Sequence, residues 1–109
     1  MAITPATLCE LKLVAGVGVA YTSTGVTTLL DKCTLCNTTG GAVAVTLYLV
    51  PSGGAATATH TIISGRSIAA GETYICPEVV GHILESGATL QGSGLDVTLR
   101  ASGRQVSGV

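Results

Sequence analysis

The sequence predicts an all-β fold: a single small β-sandwich or jelly-roll-like domain of about seven or eight short strands, with an N-terminal arm. The segment from Val43 to Val50 alternates its side chains with a period of two over eight residues. Extended runs rich in Thr and branched aliphatic residues recur about every ten residues between glycine-containing turns. No window of eleven or more residues has a convincing helical period.

The elements follow in order along the chain. We interpret residues 1–12 as the arm and residues 13–109 as the sandwich domain. Residues 16–21 are predicted to pair with the run from Val26 to Asn37, in which Leu29, Cys33 and Leu35 share one face. A hairpin loop is then expected at residues 37–41, leading into the strand at 43–50. The remaining expected strands are residues 59–63, 66–69, 73–76, 88–91 and 95–100, with one possible helical turn in 77–86 and a turn at 102–104 before a last short strand.

Composition indicates a protein that works in an assembly. The chain has 109 residues, which fits one domain, and 10% of them are charged, against about 25% in an ordinary soluble domain. Five Lys and Arg against six Asp and Glu give a net charge of −1, which argues against a nucleic-acid binder. A solitary monomer with so few charges would be poorly soluble, so we expect much of its surface to be buried against other subunits.

No targeting or membrane segment is evident in the sequence. The first twelve residues contain Glu10 and no early basic cluster, so a secretory signal is not expected. The apolar stretch at residues 13–21 is too short to span a bilayer and contains two glycines. We therefore expect the four cysteines to be reduced thiols.

The pair Cys33-x-x-Cys36 is the one motif that invites a chemical interpretation. Zinc and redox sites use this spacing where a tight turn lets both sulfurs converge. Here the pair lies within a predicted strand, where an odd separation sends the side chains to opposite faces. His60 and His82, which could join Cys76 as ligands, are not at paired ligand spacing. We interpret the cysteines as buried or interfacial thiols and expect no metal and no cofactor.

Other catalytic signals are absent from the sequence. No GxSxG or HExxH motif occurs, and the glycines at 16 and 18 lack the third glycine of a dinucleotide fingerprint. Glu72, Glu78 and Glu85 are expected to be solvated loop charges. A core without Phe or Trp offers no aromatic-lined pocket, so we expect neither an enzyme nor a small-molecule substrate.

Three phrases of the sequence resemble a known family. They are TLCNTTGGAVAVTLYLVPSGG at residues 34–54, SIAAGETYICPEVVGHILESGATLQ at 67–91 and VTLRASG at 97–103. Together they resemble small virion proteins of tailed bacteriophages. The resemblance implies a β-sandwich subunit present in many copies on a phage particle, of the capsid decoration (cement) type.

The resemblance implies partners and a place on the particle. Expected partners are the major capsid protein and further copies of this chain, as a homotrimer or another homo-oligomer. The protein would lie on the capsid exterior of a virion assembled in the host bacterial cytoplasm, without contact to nucleic acid or membrane. The arm is expected to drape onto a neighbour by edge-strand pairing. The candidate interface residues are Thr4, Leu8 and Leu11 in the arm and Arg66, Arg100 and Arg104 in the domain.

Two alternatives stay open at the level of sequence. The first is a tail or head–tail connector component, which would be present in few copies per particle. The second is a zinc or redox module built on Cys33 and Cys36.

Overall fold

The computed structural model describes residues 2–77 and 79–107. Within this part of the chain, nine strands and one 3-10 turn (Ala58–His60) are present. The strands are β1 (Ala2–Lys12), β2 (Gly18–Thr22), β3 (Thr27–Asn37), β4 (Val43–Val50), β5 (Thr61–Ile68), β6 (Thr73–Ile75), β7 (Ile83–Leu84), β8 (Thr89–Ser93) and β9 (Val97–Ser107). Among these residues, no helix has the length and apolar character needed to cross a membrane.

The strands form two antiparallel sheets. The first sheet has the order β1-β9-β3-β6, with β7 pairing the start of β3, and the second has the order β2-β8-β4-β5. Aliphatic side chains from both sheets meet in one core, where Leu35, Leu47 and Leu99 have no exposed surface. The predicted all-β sandwich is confirmed, although its strands are longer and less evenly spaced than the sequence indicated.

The chain crosses between the sheets where hairpins were predicted. β2 and β4 belong to the second sheet, whereas β3 between them belongs to the first, so neither pairs with β3. The two expected hairpins at β3 are therefore wrong. The alternation of apolar and polar side chains shows only that one face of a strand is buried. It does not show whether the following loop is a hairpin within one sheet or a connection to the other sheet.

Buried polar side chains stabilise the two connections between the sheets, from β2 to β3 and from β3 to β4. Ser23 Oγ donates to the carbonyl of Val26 at 2.7 Å and lies 2.9 Å from Thr28 Oγ1. At the second crossing, Asn37 Nδ2 donates to the carbonyls of Gly41 and Ile68, each at 2.8 Å. Asn37 is fully buried and satisfied, so the hydrogen bonds of its side-chain amide fix the turn that follows β3.

The segment predicted as an arm is part of the sandwich in the structure. Ala2–Lys12 pairs along its length with β9, with a bulge between Thr7 and Cys9. Beyond the bulge, Cys9 lies opposite Ala101 and Leu11 opposite Leu99, both on the core side of the sheet. Burial of these apolar side chains docks the strand, and Ala2–Lys12 becomes an edge strand rather than an extension outside the domain.

Two local predictions about the first sheet are wrong: that Leu29 shares a face with Cys33 and Leu35, and that residues 102–104 form a turn. A bulge between Leu30 and Lys32 turns Leu29 away from the face that carries Cys33 and Leu35. The turn expected at 102–104 is absent, because β9 runs unbroken from Val97 to Ser107. Gly103 is needed not for a turn but for the close approach of β9 to the backbone of β3. In the second sheet, the two extended pieces expected at 59–63 and 66–69 merge into one strand, β5 (Thr61–Ile68), and residues 59 and 60 belong to the preceding 3-10 turn.

The segment at residues 77–86 contains no helical turn in its described part. Residues 77 and 79–82 form turns, and Ile83 and Leu84 pair with β3 as the short strand β7. Glu78 lies outside the described residues. This loop covers one edge of the core, with Val79 and Leu84 buried.

Candidate functional site

All charged residues of the first sheet's strands lie on its outer face. Leu99 and Ala101 of β9 point into the core, so Thr98, Arg100, Ser102 and Arg104 point away from it. The register with β1 and β3 places Glu10, Lys12 and Lys32 on the same side. Asp31, the unpaired residue of the β3 bulge, is placed there by its ion pair with Arg104. We call this the charged face, and its six charged residues are Glu10, Lys12, Asp31, Lys32, Arg100 and Arg104.

Two ion pairs organise the charged face. Arg100 Nη1 lies 3.2 Å from Glu10 Oε2. Arg104 uses two nitrogens, with Nε 3.0 Å from Asp31 Oδ2 and Nη2 3.1 Å from Asp31 Oδ1. Hydrogen bonding to Asp31 raises the pKa of Arg104. The side chains of both pairs are about half exposed, so these pairs stabilise the fold only slightly.

The outer face of the second sheet carries no formal charge. Arg66 is the one charged residue in the strands of this sheet, and its register partner Val45 is fully buried on the core side. The outward-pointing rows pair Ala44 with Ser67, Thr46 with Ser93, and Tyr48 with Gln91 and Val19. We call this the uncharged face; its members are Val19, Ala44, Thr46, Tyr48, Ser67, Thr89, Gln91 and Ser93.

The six predicted interface residues do not form one surface. Thr4 is exposed near the start of β1, whereas Leu8 and Leu11 are half-buried against the core. Arg100 and Arg104 lie on the charged face, each in an ion pair within the chain. Their role at an interface stays a prediction.

Arg66, the sixth predicted interface residue, lies at the opposite edge of the sandwich. Its guanidinium carbon is 3.9 Å from the centroid of the Tyr74 ring. A cation over an aromatic face is an attractive arrangement. Arg66 therefore joins β5 of one sheet to β6 of the other, a contact that sequence spacing gave no means to detect.

The CxxC pair cannot converge on one ion. Cys33 is fully buried on the core side of β3, while Cys36 is only partly buried on the outer side, as the odd spacing predicted. Thr73 Oγ1 donates to Cys36 Sγ at 3.6 Å. In the described part of the chain, no group of three or more His, Cys, Asp or Glu residues is placed to hold a metal ion.

Three cysteines lie instead in one row across the inner face of the first sheet. Cys9 is opposite Ala101, which is opposite Cys33, and the backbone N–H of Cys76 donates to the Cys33 carbonyl at 3.1 Å. A hydrogen bond with the Cys76 side chain, followed by burial, raises the pKa of the Cys33 thiol. Burial likewise raises the pKa of Cys9. These groups are therefore neutral thiols in the folded protein.

A cavity of about 320 Å³ lies between the end of β4 and the segment that follows β7. Its walls include Leu49, Val50 and Leu84, and two ionisable residues, His60 and Glu85, also line it. The sequence indicated no pocket, because the lining comes from segments distant in the chain. His60 and Glu85 make no ion pair with each other among the described contacts, so the cavity shows no assembled acid–base pair.

The chain matches no protein-family profile and no curated protein. Among solved structures it is similar to a chain in the structure of infectious bursal disease virus, Gx strain, with a TM-score of 0.47 and 14% sequence identity. The match covers 98% of this chain and 32% of the other. This chain thus spans about a third of the length of its structural neighbour, and a similarity of this size assigns no family.

Proposed function

We propose that this protein is a non-enzymatic structural component of a bacteriophage virion that decorates the assembled capsid. In this proposal it binds the major capsid protein on the outside of the shell, as a homotrimer or another homo-oligomer. The observation that carries the proposal is the contrast between the two outer faces. One face holds six charged residues, and the other holds none.

The uncharged face is suited to burial against a protein lattice. Burying an unpaired charge costs several kcal/mol, and the cores of protein interfaces are correspondingly depleted of charged residues. Thr, Tyr, Gln and Val side chains can be buried at much lower cost while still providing hydrogen bonds and apolar contact area. The charged face, where four of the six charged residues are paired within the chain, is suited to remain in water.

The mechanism is stabilisation by binding. A subunit that binds only the assembled shell lowers the free energy of that shell, because disassembly must first break the added contacts. Each contact is modest, but many copies bound over the lattice together stabilise the shell against the internal pressure of packaged DNA. No chemical step is required, in keeping with the resemblance to decoration proteins.

A matched pair of substitutions tests which face binds. Ala44 is exposed on the uncharged face and Thr7 is exposed on the charged face. Ala44→Lys and Thr7→Lys add the same charge to opposite sides of the sandwich. Both variants are compared with the unaltered protein by co-sedimentation with particles that lack it, after thermal unfolding has established that each variant is folded.

The proposal expects Ala44→Lys to weaken binding at least tenfold, because the added ammonium must be desolvated, and Thr7→Lys to bind as the unaltered protein does. Equal loss in both variants, or a loss confined to Thr7→Lys, would contradict the assignment of the binding face. Failure of the unaltered protein to bind any particle would contradict the proposed function itself.

A further inference from the structure

Cys76, the residue that follows β6, lies opposite Cys33 of β3. The β3–β6 register pairs Leu35 with Tyr74 and Thr34 with Ile75, and continuing it by one residue beyond the end of β6 brings Cys76 opposite Cys33. The 3.1 Å bond from the Cys76 N–H to the Cys33 carbonyl continues the ladder to this pair. Opposed residues at a hydrogen-bonded position have Cα atoms about 5.5 Å apart, within the range that a disulfide spans.

The neighbouring cysteines do not share this geometry. Cys9 is separated from Cys33 by Ala101 of β9, and two strand spacings amount to about 9.6 Å, which exceeds the Cα separation that a disulfide can bridge. Cys36 lies three residues along the same strand on the opposite face. Among the four cysteines, Cys33 and Cys76 are therefore the pair that the fold preorganises.

We propose that Cys33 and Cys76 are a latent disulfide site, a covalent cross-link between β3 and the residue that follows β6. Closing the bond requires the two Cβ atoms to move from about 5 Å apart, as is usual for opposed strand residues, to about 3.5–4.5 Å. The inference stands on the register and the side-chain contact of the two thiols, and does not depend on the proposed virion role. In the structure all four cysteines are reduced thiols, so the cross-link requires an oxidant.

A small-molecule disulfide such as oxidised glutathione supplies the oxidising equivalents. One cysteine thiolate attacks that disulfide, forms a mixed disulfide and releases one glutathione thiolate. The second cysteine thiolate then attacks the protein sulfur of the mixed disulfide and releases the second glutathione. The two cysteine protons end on the two glutathione thiols, so the protein loses two hydrogens as the reagent is reduced.

Burial governs when the reaction occurs. Cys33 and Cys76 have no exposed surface in the folded protein, so the native thiols are protected from reagents in solution. β6 is a three-residue strand at the end of the first sheet, and short edge elements open more readily than the core. The cross-link is therefore expected to form during folding or upon opening of β6, and only slowly in the closed native state.

Refolding in a glutathione redox buffer tests the proposal. The unaltered chain and Cys36→Ala are refolded from denaturant in excess oxidised glutathione, quenched with acid and digested with trypsin. Cleavage after Lys32, Arg66 and Arg100 leaves Cys33 and Cys36 in the peptide 33–66, Cys76 in the peptide 67–100, and Cys9 in the N-terminal peptide. Mass spectrometry before and after reduction identifies the linked pair.

The proposal predicts a 33–66 to 67–100 link in both proteins, with Cys36→Ala excluding Cys36 as the partner. The oxidised form should unfold at higher denaturant concentration than the reduced form, with its unfolding equilibrium constant lowered on the order of 10³-fold by the closed loop of residues 34–75. Its far-ultraviolet spectrum should match that of the reduced form.

Three results would overturn the proposal. In the first, the protein refolds but Cys33 and Cys76 stay reduced at equilibrium in the oxidising buffer. In the second, the predominant disulfide contains Cys9 or Cys36. In the third, a Cys33–Cys76 disulfide forms but lowers the stability of the protein. Cys33→Ala serves as a negative control. If this variant does not fold, the peptide map of the unaltered chain still decides the pairing.

Discussion

Gly103 on β9 lies against the backbone carbonyl of Leu29 on β3, so closely that a Cβ atom at position 103 would overlap the carbonyl oxygen. The contact occurs beside the bulge between Leu30 and Lys32, where the β3 backbone is displaced from a regular ladder. The two long strands β3 and β9 can therefore approach this closely only because position 103 has no side chain.

Gly103→Ala should therefore destabilise the sandwich by about 1–3 kcal/mol, because one of the two backbones must move to accept the methyl group. Urea unfolding measures the change. Gly16→Ala is the matched control, since in the described part of the chain no atom beyond Gly16 and its two chain neighbours lies within 4 Å of a Cβ built at Gly16. Equal stability of the two variants would contradict the close contact.

Leu35→Ala should cost about 2–5 kcal/mol in the free energy of unfolding, because Leu35 is fully buried between the sheets and its removal leaves a cavity. Leu95→Ala is the control, since Leu95 is 56% exposed. Chemical denaturation of the two variants should give clearly separated midpoints. A small effect at Leu35 would indicate that the two sheets do not enclose a common core.

Stability should fall as the pH rises above 9.0, the ordinary pKa of the cysteine thiol. Burial and the contact with Cys76 raise the pKa of Cys33, and burial raises that of Cys9, so the unfolded chain loses these protons before the folded protein does. Each thiol then contributes a slope of up to about 1.4 kcal/mol per pH unit.

Urea titrations on either side of pH 9.0, performed with reductant, compare the unaltered protein with Cys33→Ala. The variant should show the shallower decline in the free energy of unfolding with pH. Parallel declines in the two proteins would show that the Cys33 thiol ionises in the folded state as readily as in the unfolded chain.

Truncation of β1 should have a graded effect. Ile3, Thr4 and Pro5 are exposed, whereas Cys9 is buried and Leu11 packs on the core. Deleting residues 2–5 should leave the thermal midpoint nearly unchanged, while deleting 2–10 should lower it, because it exposes the edge of β9 and part of the core. A long truncation with unchanged stability would restore the interpretation of this segment as an arm.

The fold class could be predicted from sequence because it depends on local pattern. Alternation in β4, turn residues and the lack of helical periodicity all operate over a few neighbouring residues. Sheet membership depends on contacts between distant segments, such as the amide of Asn37 reaching the carbonyl of Ile68. No local signal distinguishes such a crossing from a hairpin, so the pairing of β3 was predicted wrongly.

The candidate surface was predictable only in part. The low charge content indicated that some surface is buried in an assembly, but the segregation of charge onto one face follows from the register of β1, β9 and β3. The contact of the exposed Arg66 with the Tyr74 ring likewise needs β5 and β6 to meet. The opposite orientation of Cys33 and Cys36 was predictable, since it requires only the period of a strand.

The proposed capsid-decoration role is tested most directly by the number of copies of this protein per purified virion. Quantitative mass spectrometry gives this number relative to the major capsid protein. A shell-wide decoration role predicts a ratio near one copy per capsid subunit, or one trimer at each junction between capsomers. A few copies per particle would move the protein to the tail or the connector, and absence from the particle would contradict the virion role altogether.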